Sequence, residues 1–259
     1  MKQTNYGNWV PGTLMNLLWG GTALFLAAVL FIRFLGGSGL MQGIFLALFA
    51  LFAAMALYMQ ACRRAFSFTG GNVMGNIHRF LLSRLPWDGR GSLLDIGCGS
   101  GTLAILCAKT WPSAQVTGID YWGKEWNYAK AQCEENARIE QVPAVQFCQG
   151  DAAHLPFADG SFDAAVSNFV FHEVRTQPDK RQVVREALRV IKKGGSFAFH
   201  DLFEQKQLYG DMDEFLEFLR REGIREIHYE AHTERLPMVP WFAKAPWMLT
   251  GLGLIYGRK

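Results

Sequence analysis

Acidic residues are missing from the first quarter of the chain. Residues 1–64 contain no aspartate or glutamate, and their four charged side chains are all basic. The other 195 residues carry 22 basic and 23 acidic side chains, a net charge of −1. Phosphate binding needs a clustered positive face, so this balance excludes a nucleic-acid-binding role for the main body. Half of the residues are hydrophobic, which excludes intrinsic disorder as the main state.

Paired cysteines are also absent. The sequence has five cysteines and no CxxC spacing, so it predicts no metal site. An odd, scattered set is typical of a protein in a reducing compartment. The five are Cys62, Cys98, Cys107, Cys133 and Cys148.

Two long apolar runs contain no charged residue. One lies between Lys2 and Arg33, with its most apolar part at residues 14–32, and the other covers residues 39–62. At about 1.5 Å per residue, helices of these lengths extend roughly 28 and 36 Å, against about 30 Å for the hydrocarbon core of a bilayer. The sequence therefore predicts an anchor domain, residues 1–64, with two transmembrane helices at about 13–35 and 39–62.

The residues that flank this hairpin bear on its orientation. Arg63 and Arg64 close the second run, as expected at a cytoplasmic boundary, whereas Arg33 would have to reach the interface on the far side. No small-residue cleavage site follows the first run, which disfavours a signal peptide. A buried core hairpin of this length would need a larger protein around it. A re-entrant hairpin that does not cross the bilayer fully is the alternative that stays open.

From about residue 65 to residue 259, short apolar runs alternate with amphipathic stretches. This alternation is typical of a parallel sheet with crossover helices. The predicted strands are 92–96, 115–119, 145–149, 162–167, 196–200, 224–230 and 252–256. The predicted helices are 101–110, 123–138, 178–191 and 211–222, the third ending in the cations and glycines of residues 192–195.

Three alternating glycines follow the first predicted strand. Gly97, Gly99 and Gly101 come after the acidic Asp95, where the chain turns into a helix, and such a turn lets the backbone approach a ligand closely. A dinucleotide fingerprint would have its third glycine at position 102, which is a threonine, so a nicotinamide oxidoreductase is disfavoured. Cys98 lies inside the turn, and we interpret its small side chain as a steric requirement.

Two more acids follow the next strands. Asp120 comes 19 residues after Gly101, and Asp151 follows the third strand. Together with residues 186–195, which lead into the fifth strand, this ordered set resembles the class I S-adenosylmethionine (SAM) dependent methyltransferases, in the branch of the quinone and sterol methyltransferases. The resemblance covers about residues 70–200. It implies an α/β fold with a Rossmann-like, seven-stranded, mainly parallel sheet that has an antiparallel strand near its end.

The same resemblance implies SAM as the cofactor and assigns residues to it. Asp95 and the glycine turn would hold the amino-acid end, Asp120 the ribose hydroxyls, and Asp151 the adenine amino group. Tyr121 or Trp122 would pack against the adenine, although ordinary packing between helix and sheet is the alternative for both. The implied cofactor-binding residues are Asp95, Gly97, Cys98, Gly99, Gly101, Asp120, Tyr121, Trp122, Asp151, Ala152 and Asn168.

Candidate catalytic residues follow the fourth and fifth strands: Asn168, His172, Glu173, His200 and Asp201. Methyl transfer depends mainly on proximity and orientation, and a base is needed only for a hydroxyl or an acidic carbon. His172 is the first candidate, because it falls four residues after Asn168, where the family commonly has a histidine. Ordering of the loop is an equally good interpretation of His172, and His200 and Asp201 could be strand-end groups that satisfy each other.

Residues 236–249 are dense in aromatics, methionine and proline and contain one charge. They form either a buried loop or an apolar lip over the acceptor site. With the anchor, this pattern favours a membrane-anchored SAM-dependent methyltransferase whose catalytic domain, residues 65–259, lies in the cytoplasm. The expected partners are the lipid bilayer and a small lipophilic acceptor, such as a quinone-like molecule, a lipid amine or a thiol. A non-catalytic SAM-binding module and a water-soluble acceptor are the alternatives, and the acceptor atom and oligomeric state are not predicted.

Overall fold

The computed structural model describes residues 2–123 and 130–259. The chain forms two compact units. Asn8–Met74 is called the helical hairpin below, and Met1–Gly7 together with Gly75–Lys259 is called the sheet unit. Residues 2–7 therefore group with the sheet, whereas the sequence places them in an anchor of residues 1–64.

The helical hairpin consists of α1 (Gly12–Phe34) and α2 (Gly39–Phe66). The two helices pack on each other through aromatic rings, since the centroid of Phe25 lies 6.2 Å from that of Phe45 and 5.0 Å from that of Phe52. Both helices are long and apolar enough to cross a membrane, by length and composition. Only 22% and 6% of their most apolar windows are buried, which is not the pattern of a core hairpin in a soluble protein.

The sheet unit is built around seven strands in the order β3-β2-β1-β4-β5-β7-β6. The strands are β1 (Ser92–Ile96), β2 (Gln115–Asp120), β3 (Gln146–Gln149), β4 (Phe162–Asn168), β5 (Ile191–Asp201), β6 (Glu226–Ala231) and β7 (Gly253–Arg258). The helices are α3 (Val73–Arg84), α4 (Thr102–Thr110), α5 (Lys130–Ile139), α6 (Lys180–Arg189), α7 (Lys206–Tyr209) and α8 (Met212–Arg221). Short 3-10 turns cover Phe171–Glu173, Thr233–Arg235 and Trp241–Ala243.

The pairing of the strands explains where a ligand site can form. Strands β1 to β5 are parallel to their neighbours, and β7 runs antiparallel to both β5 and β6. This confirms the predicted seven-stranded, Rossmann-like sheet with an antiparallel strand near its end. The chain order reverses between β1 and β4, so the carboxyl ends of the parallel strands open a crevice at that point.

Burial of the central strands follows from their place in the sheet. Leu93, Leu94 and Ile96 of β1 are fully buried, and separate core clusters contain Leu94 and Leu93. Neighbouring residues of a strand point to opposite faces, so β1 is covered on both faces. A strand covered on both faces is rich in apolar residues, and the sequence pattern located β1 by Leu93, Leu94 and Ile96 although Asp95 interrupts them.

Some details differ from the sequence prediction. The third predicted helix ends at Arg189, and residues 192–195 form the first part of β5 instead of a helix end, because Ile191 pairs with Phe162 of β4. Helix α3 is absent from the prediction, although Ile77 and Leu81 recur at helical spacing and are fully buried. Of the helix predicted at 123–138, residues 124–129 lie outside the described residues, and α5 covers the rest.

Candidate active site

Backbone conformation fixes the turn between β1 and α4. Gly97 has a φ of +73° and Gly99 a φ of +54°, in the left-handed region that favours glycine. A Cβ at Gly97 would lie 2.2 Å from the side chain of Val170, so no larger residue fits there. The N–H groups of Gly97 and Cys98 both donate to the carbonyl of Ile119 (2.8 and 3.0 Å), which ties the turn to β2.

Cys98 is buried in this turn. A Cβ added to Gly118 on β2 would lie 3.0 Å from both the Cβ and the Sγ of Cys98, so the space between turn and strand holds only small groups. This crowding supports the steric interpretation of Cys98. Burial raises the pKa of the thiol well above its usual value, which makes it a poor nucleophile.

Asp95 is the buried acid beneath the glycine turn. It is 1% exposed, and its Oδ2 has no hydrogen-bond partner among the residues that the structure describes. Burial raises the pKa of Asp95 to about 8, with a smaller contribution from the nearby charge of Asp120. A buried carboxyl group without a counter-charge is costly, so the site is suited to a cationic ligand group such as an ammonium.

Asp120 ends β2 next to the same turn. Its Oδ2 accepts from the N–H of Gly99 and its Oδ1 from the N–H of Trp122, both at 2.8 Å. Each carboxylate oxygen has a second lone-pair position, so the two oxygens can also accept from a pair of hydroxyl groups. Burial raises the pKa of Asp120, and the backbone N–H groups oppose that rise.

The two aromatic candidates after Asp120 lie in different surroundings. The indole Nε1 of Trp122 donates to the carbonyl of Gly99 (2.9 Å), and its backbone has a φ of +43°. Trp122 therefore braces the glycine turn. Tyr121 is 63% exposed, which leaves its ring face accessible to a ligand at the end of β2.

Asp151 and Ala152 follow β3 at the same edge of the sheet. The Oδ1 of Asp151 accepts from the N–H of Ala153 (2.9 Å), and its Oδ2 lies 3.9 Å from the ring Nδ1 of His154. The side chain of Asp151 is mostly buried, with 23% exposed. Asp95, Asp120 and Asp151 thus place carboxyl groups at the ends of three adjacent strands.

The N-terminal segment, residues 2–7, is a part of the site that the sequence analysis missed. The N–H of Asn5 donates to Oδ1 of Asn136 on α5 (2.8 Å), and Nδ2 of Asn136 donates to the carbonyls of Asn5 and Ser100 (2.9 and 3.0 Å). Ser100, inside the glycine turn, donates to the carbonyl of Tyr6 (3.1 Å). Asn136 is 1% exposed, so it joins the segment to the turn through buried hydrogen bonds.

A buried chain of polar side chains crosses the ends of β4 and β5. The hydroxyl of Thr233 lies 2.7 Å from Nε2 of His200, and Nδ1 of His200 lies 2.9 Å from Oδ1 of Asn168. Nδ2 of Asn168 lies 3.3 Å from Nε2 of His78 on α3. Burial lowers the pKa of His200 to about 4 and that of His78 to about 3, so both rings are neutral near pH 7.

Because both histidine rings are neutral, each hydrogen bond among these four side chains has one donor and one acceptor, which we assign from the network. Thr233 donates to His200, His200 donates from Nδ1 to Asn168, and Asn168 donates from Nδ2 to His78. Both nitrogens of His200 are used, so its position favours orienting Asn168 over exchanging protons with an acceptor. Thr233 and His78 have no motif of their own, and only the fold brings them together.

The remaining catalytic candidates form a second cluster. Nδ1 of His172 lies 2.6 Å from Oδ1 of Asp201, and Nε2 of His172 lies 3.5 Å from Oε1 of Glu173. Asp201 is fully buried and its Oδ2 accepts from the N–H groups of Val170 and Phe171 (3.1 and 2.8 Å). His200 and Asp201 therefore do not satisfy each other; they belong to different networks.

Charge decides the protonation state of His172. Burial opposes the imidazolium, but the charge of Asp201 and its hydrogen bond, together with Glu173, outweigh burial and raise the pKa of His172 to about 9. The His172 cation and the backbone N–H groups in turn outweigh burial at Asp201 and lower its pKa. His172, 18% exposed, is thus a cation near pH 7 at the rim of the crevice.

Comparisons with known proteins bear on the family and the fold of the sheet unit. Residues 94–199 match the family model described as a methyltransferase domain. An arsenite methyltransferase of Aquipseudomonas alcaligenes is 36% identical over 124 residues, which are 46% of this chain and 35% of the relative. A demethylmenaquinone methyltransferase of Lactococcus lactis is 36% identical over 105 residues, 40% of this chain and 39% of the relative.

One solved structure has the same fold. Phosphoethanolamine N-methyltransferase 2 of Haemonchus contortus, in complex with S-adenosylhomocysteine and phosphomonomethylethanolamine, aligns with a TM-score of 0.55 at 18% identity, over 71% of this chain and 52% of that chain. The chain covers little more than a third of the length of the two curated relatives. Together the comparisons confirm the resemblance on which the sequence analysis rests.

Proposed function

We propose, from the methyltransferase domain that residues 94–199 form, that the protein transfers a methyl group from SAM to a small lipophilic acceptor at a membrane. The observation that carries this proposal is the carboxyl of Asp95. It is buried beneath a glycine turn, has an oxygen without a partner among the described residues, and has a pKa raised to about 8. The site lacks a positive charge beside the Asp95 carboxyl group, and the ammonium group of SAM would supply it.

The residues present fit the other parts of the same cofactor. Asp120 would accept from the ribose hydroxyls, Tyr121 would cover one face of the adenine, and Asp151 would accept from the adenine amino group. The turn at Gly97 and Gly99 keeps side chains out of the space next to β1. SAM, when bound, supplies a methyl group on a positively charged sulfur.

The chain's own groups would then position and polarise the acceptor. Asn168 is held by His200 and His78, so its amide has one orientation at the end of β4. His172 is protonated at neutral pH, and its Nδ1–H donates a hydrogen bond to the carboxylate of Asp201. Its Nε2 proton can be donated to an oxygen acceptor and favours the ionised form of a hydroxyl, which is the better nucleophile.

Two further observations support the membrane and the lipophilic acceptor. The same chain carries two helices that are long and apolar enough to cross a bilayer. One of the relatives is named for demethylmenaquinone. An anchored domain meets lipid-soluble molecules at a high local concentration, without additional contacts. We therefore place the sheet unit at the cytoplasmic side, where SAM is made, with the hairpin in the bilayer.

The test is a methyl-transfer assay with labelled SAM on the full chain in detergent, with a total lipid extract of its host and mass spectrometry of the products. The expected result is a lipid-soluble product that has gained one methyl group, and loss of that product in Asp95→Asn. A labelled water-soluble product, as the arsenite relative suggests, would contradict the lipophilic acceptor. Tight SAM binding without any product would favour a binding module, and failure to bind SAM would refute the proposal entirely.

A further inference from the structure

Two tryptophans stand out on the surface of the sheet unit. Trp241 is 83% exposed and Trp247 is 73% exposed. Among the described residues of this unit, the only other large apolar side chain with comparable exposure is Tyr121, beside the cofactor turn. Both tryptophans belong to residues 236–249, called the tryptophan loop below. Two exposed indole rings, six positions apart in the same loop, mark a surface that binds another apolar surface.

The tryptophan loop is a folded segment. Val239, Ala243 and Leu249 are buried. The N–H of Ala243 donates to the carbonyl of Pro240 (3.0 Å), and the N–H of Leu249 donates to the carbonyl of Ala243 (3.1 Å). The loop therefore has an interior of its own, formed by these aliphatic residues. The two indole rings lie on its exposed side.

The base of the loop touches the candidate active site. The N–H of Thr233 donates to the carbonyl of Leu252 (3.1 Å), so residues 233 and 252 close the loop. The hydroxyl of the same Thr233 lies 2.7 Å from Nε2 of His200, which contacts Asn168. Two hydrogen bonds, with His200 between them, therefore connect Thr233 at the base of the loop to Asn168 at the end of β4.

We propose that the tryptophan loop lies in the headgroup region of the bilayer and that the lipophilic acceptor reaches the site along it. The proposal rests on the proposed function, because it needs the hairpin to hold the protein at a membrane. Indole rings favour the interface, since they are apolar with one polar N–H. The loop contains no acid, its one charged residue is Lys244, and Arg235 directly precedes it, so its positive charge suits anionic lipid headgroups better than a neutral protein surface.

The experiment measures the depth of the loop with a spin label. The full chain is placed in nanodiscs of mixed zwitterionic and anionic phospholipid, with a nitroxide at Trp241→Cys, and collisions with oxygen and with a water-soluble nickel chelate are compared. The matched control is Asp88→Cys, since Asp88 is well exposed and precedes β1, at the opposite edge of the sheet. Four of the five native cysteines are buried, and the unsubstituted protein gives the background labelling.

The expected result is a shift toward oxygen at position 241 and none at position 88. A second variant, Trp241→Ser with Trp247→Ser and the label at Lys244→Cys, should lose the shift that the same label has with both tryptophans present, while its SAM affinity is unchanged. Equal collision rates with the nickel chelate at positions 241 and 88 would overturn the proposal. The exposed tryptophans would then be a surface for a protein partner. Insertion of the loop in a protein that transfers no methyl group would refute the proposed function instead.

Discussion

The charge of Asp201 should control the protonation of His172. Asp201→Asn keeps the size and the planar shape of the side chain but removes the negative charge that lies 2.6 Å from Nδ1 of His172. Burial alone lowers the pKa of a histidine, and without the Asp201 charge this effect is opposed only by the more exposed Glu173. We expect the pKa of His172 to fall from about 9 to near or below 6.5.

The size of the effect follows from the pKa values. The difference between the ordinary value of 6.5 and about 9 corresponds to roughly 3 kcal/mol of preference for the imidazolium in the folded protein. A pKa raised on folding stabilises the protein fully below pH 6.5, and this stabilisation disappears as the pH rises from 6.5 to about 9. In Asp201→Asn the same pH range should show little change in the free energy of unfolding.

The assay is NMR titration of the protein labelled with carbon-13 at the histidine rings. The chain has six histidines, and His172→Gln identifies the resonance of interest. The expected result is a midpoint near 9 in the unsubstituted protein and near or below 6.5 in Asp201→Asn. If turnover needs the His172 cation, the pH at which turnover is lost on the alkaline side should be lower in Asp201→Asn by the same number of pH units. A His172 midpoint near 6.5 in both proteins would refute the reasoning.

Three other substitutions test the site. Asn136→Ala should weaken SAM binding about five- to thirtyfold, since the buried hydrogen bonds that join the N-terminal segment to the glycine turn are worth about 1–2 kcal/mol. Calorimetry measures the affinity, with the exposed Glu134→Ala as the control. Equal SAM affinities of the two variants would contradict the prediction. At pH 7, SAM binding should release about one proton, because the carboxyl of Asp95 is protonated below its pKa of about 8 and ionises beside an ammonium; calorimetry in two buffers checks this, and Asp95→Asn should release none. Thr233→Val should lower kcat with SAM affinity unchanged, and Thr233→Ser should restore it; equal rates in all three proteins would show that the hydroxyl does not orient His200.

Local patterns located the strands, and the family resemblance supplied the order and the antiparallel strand of the sheet. Strands β1 and β4 are largely buried, so their sequences are mostly apolar, with Asp95 and Asp163 as interruptions, and the glycine turn follows directly after β1. The cofactor candidates share a property that sequence can carry, since each follows the end of a parallel strand. Their roles stay predictions, although the structure brings Asp95, Asp120 and Asp151 to one edge.

Long-range contacts could not be predicted in the same way. His78 and Thr233 lie 155 positions apart in the sequence, and only the order of β4, β5 and β7 in the sheet joins them through Asn168 and His200. The separation of His200 from Asp201 has a local cause. Successive residues of a strand point to opposite faces, so neighbours in sequence enter different networks. Residues 192–195 were assigned to a helix end because cations and glycines are typical of one, although here the same residues form the start of β5.

The hydrogen bonds between the N-terminal segment and the glycine turn determine how the chain can be cut and rejoined. Residues 2–7 belong with the sheet, so the hairpin is an insertion within the sheet unit. A chain that leaves a unit and returns to it can cross a bilayer only an even number of times, which is compatible with two crossings or with none, but not with one. Truncation at residue 62 would also remove Asn5 and Tyr6 from the site. A soluble version should instead keep residues 1–7 and replace the hairpin by a flexible linker to residue 75.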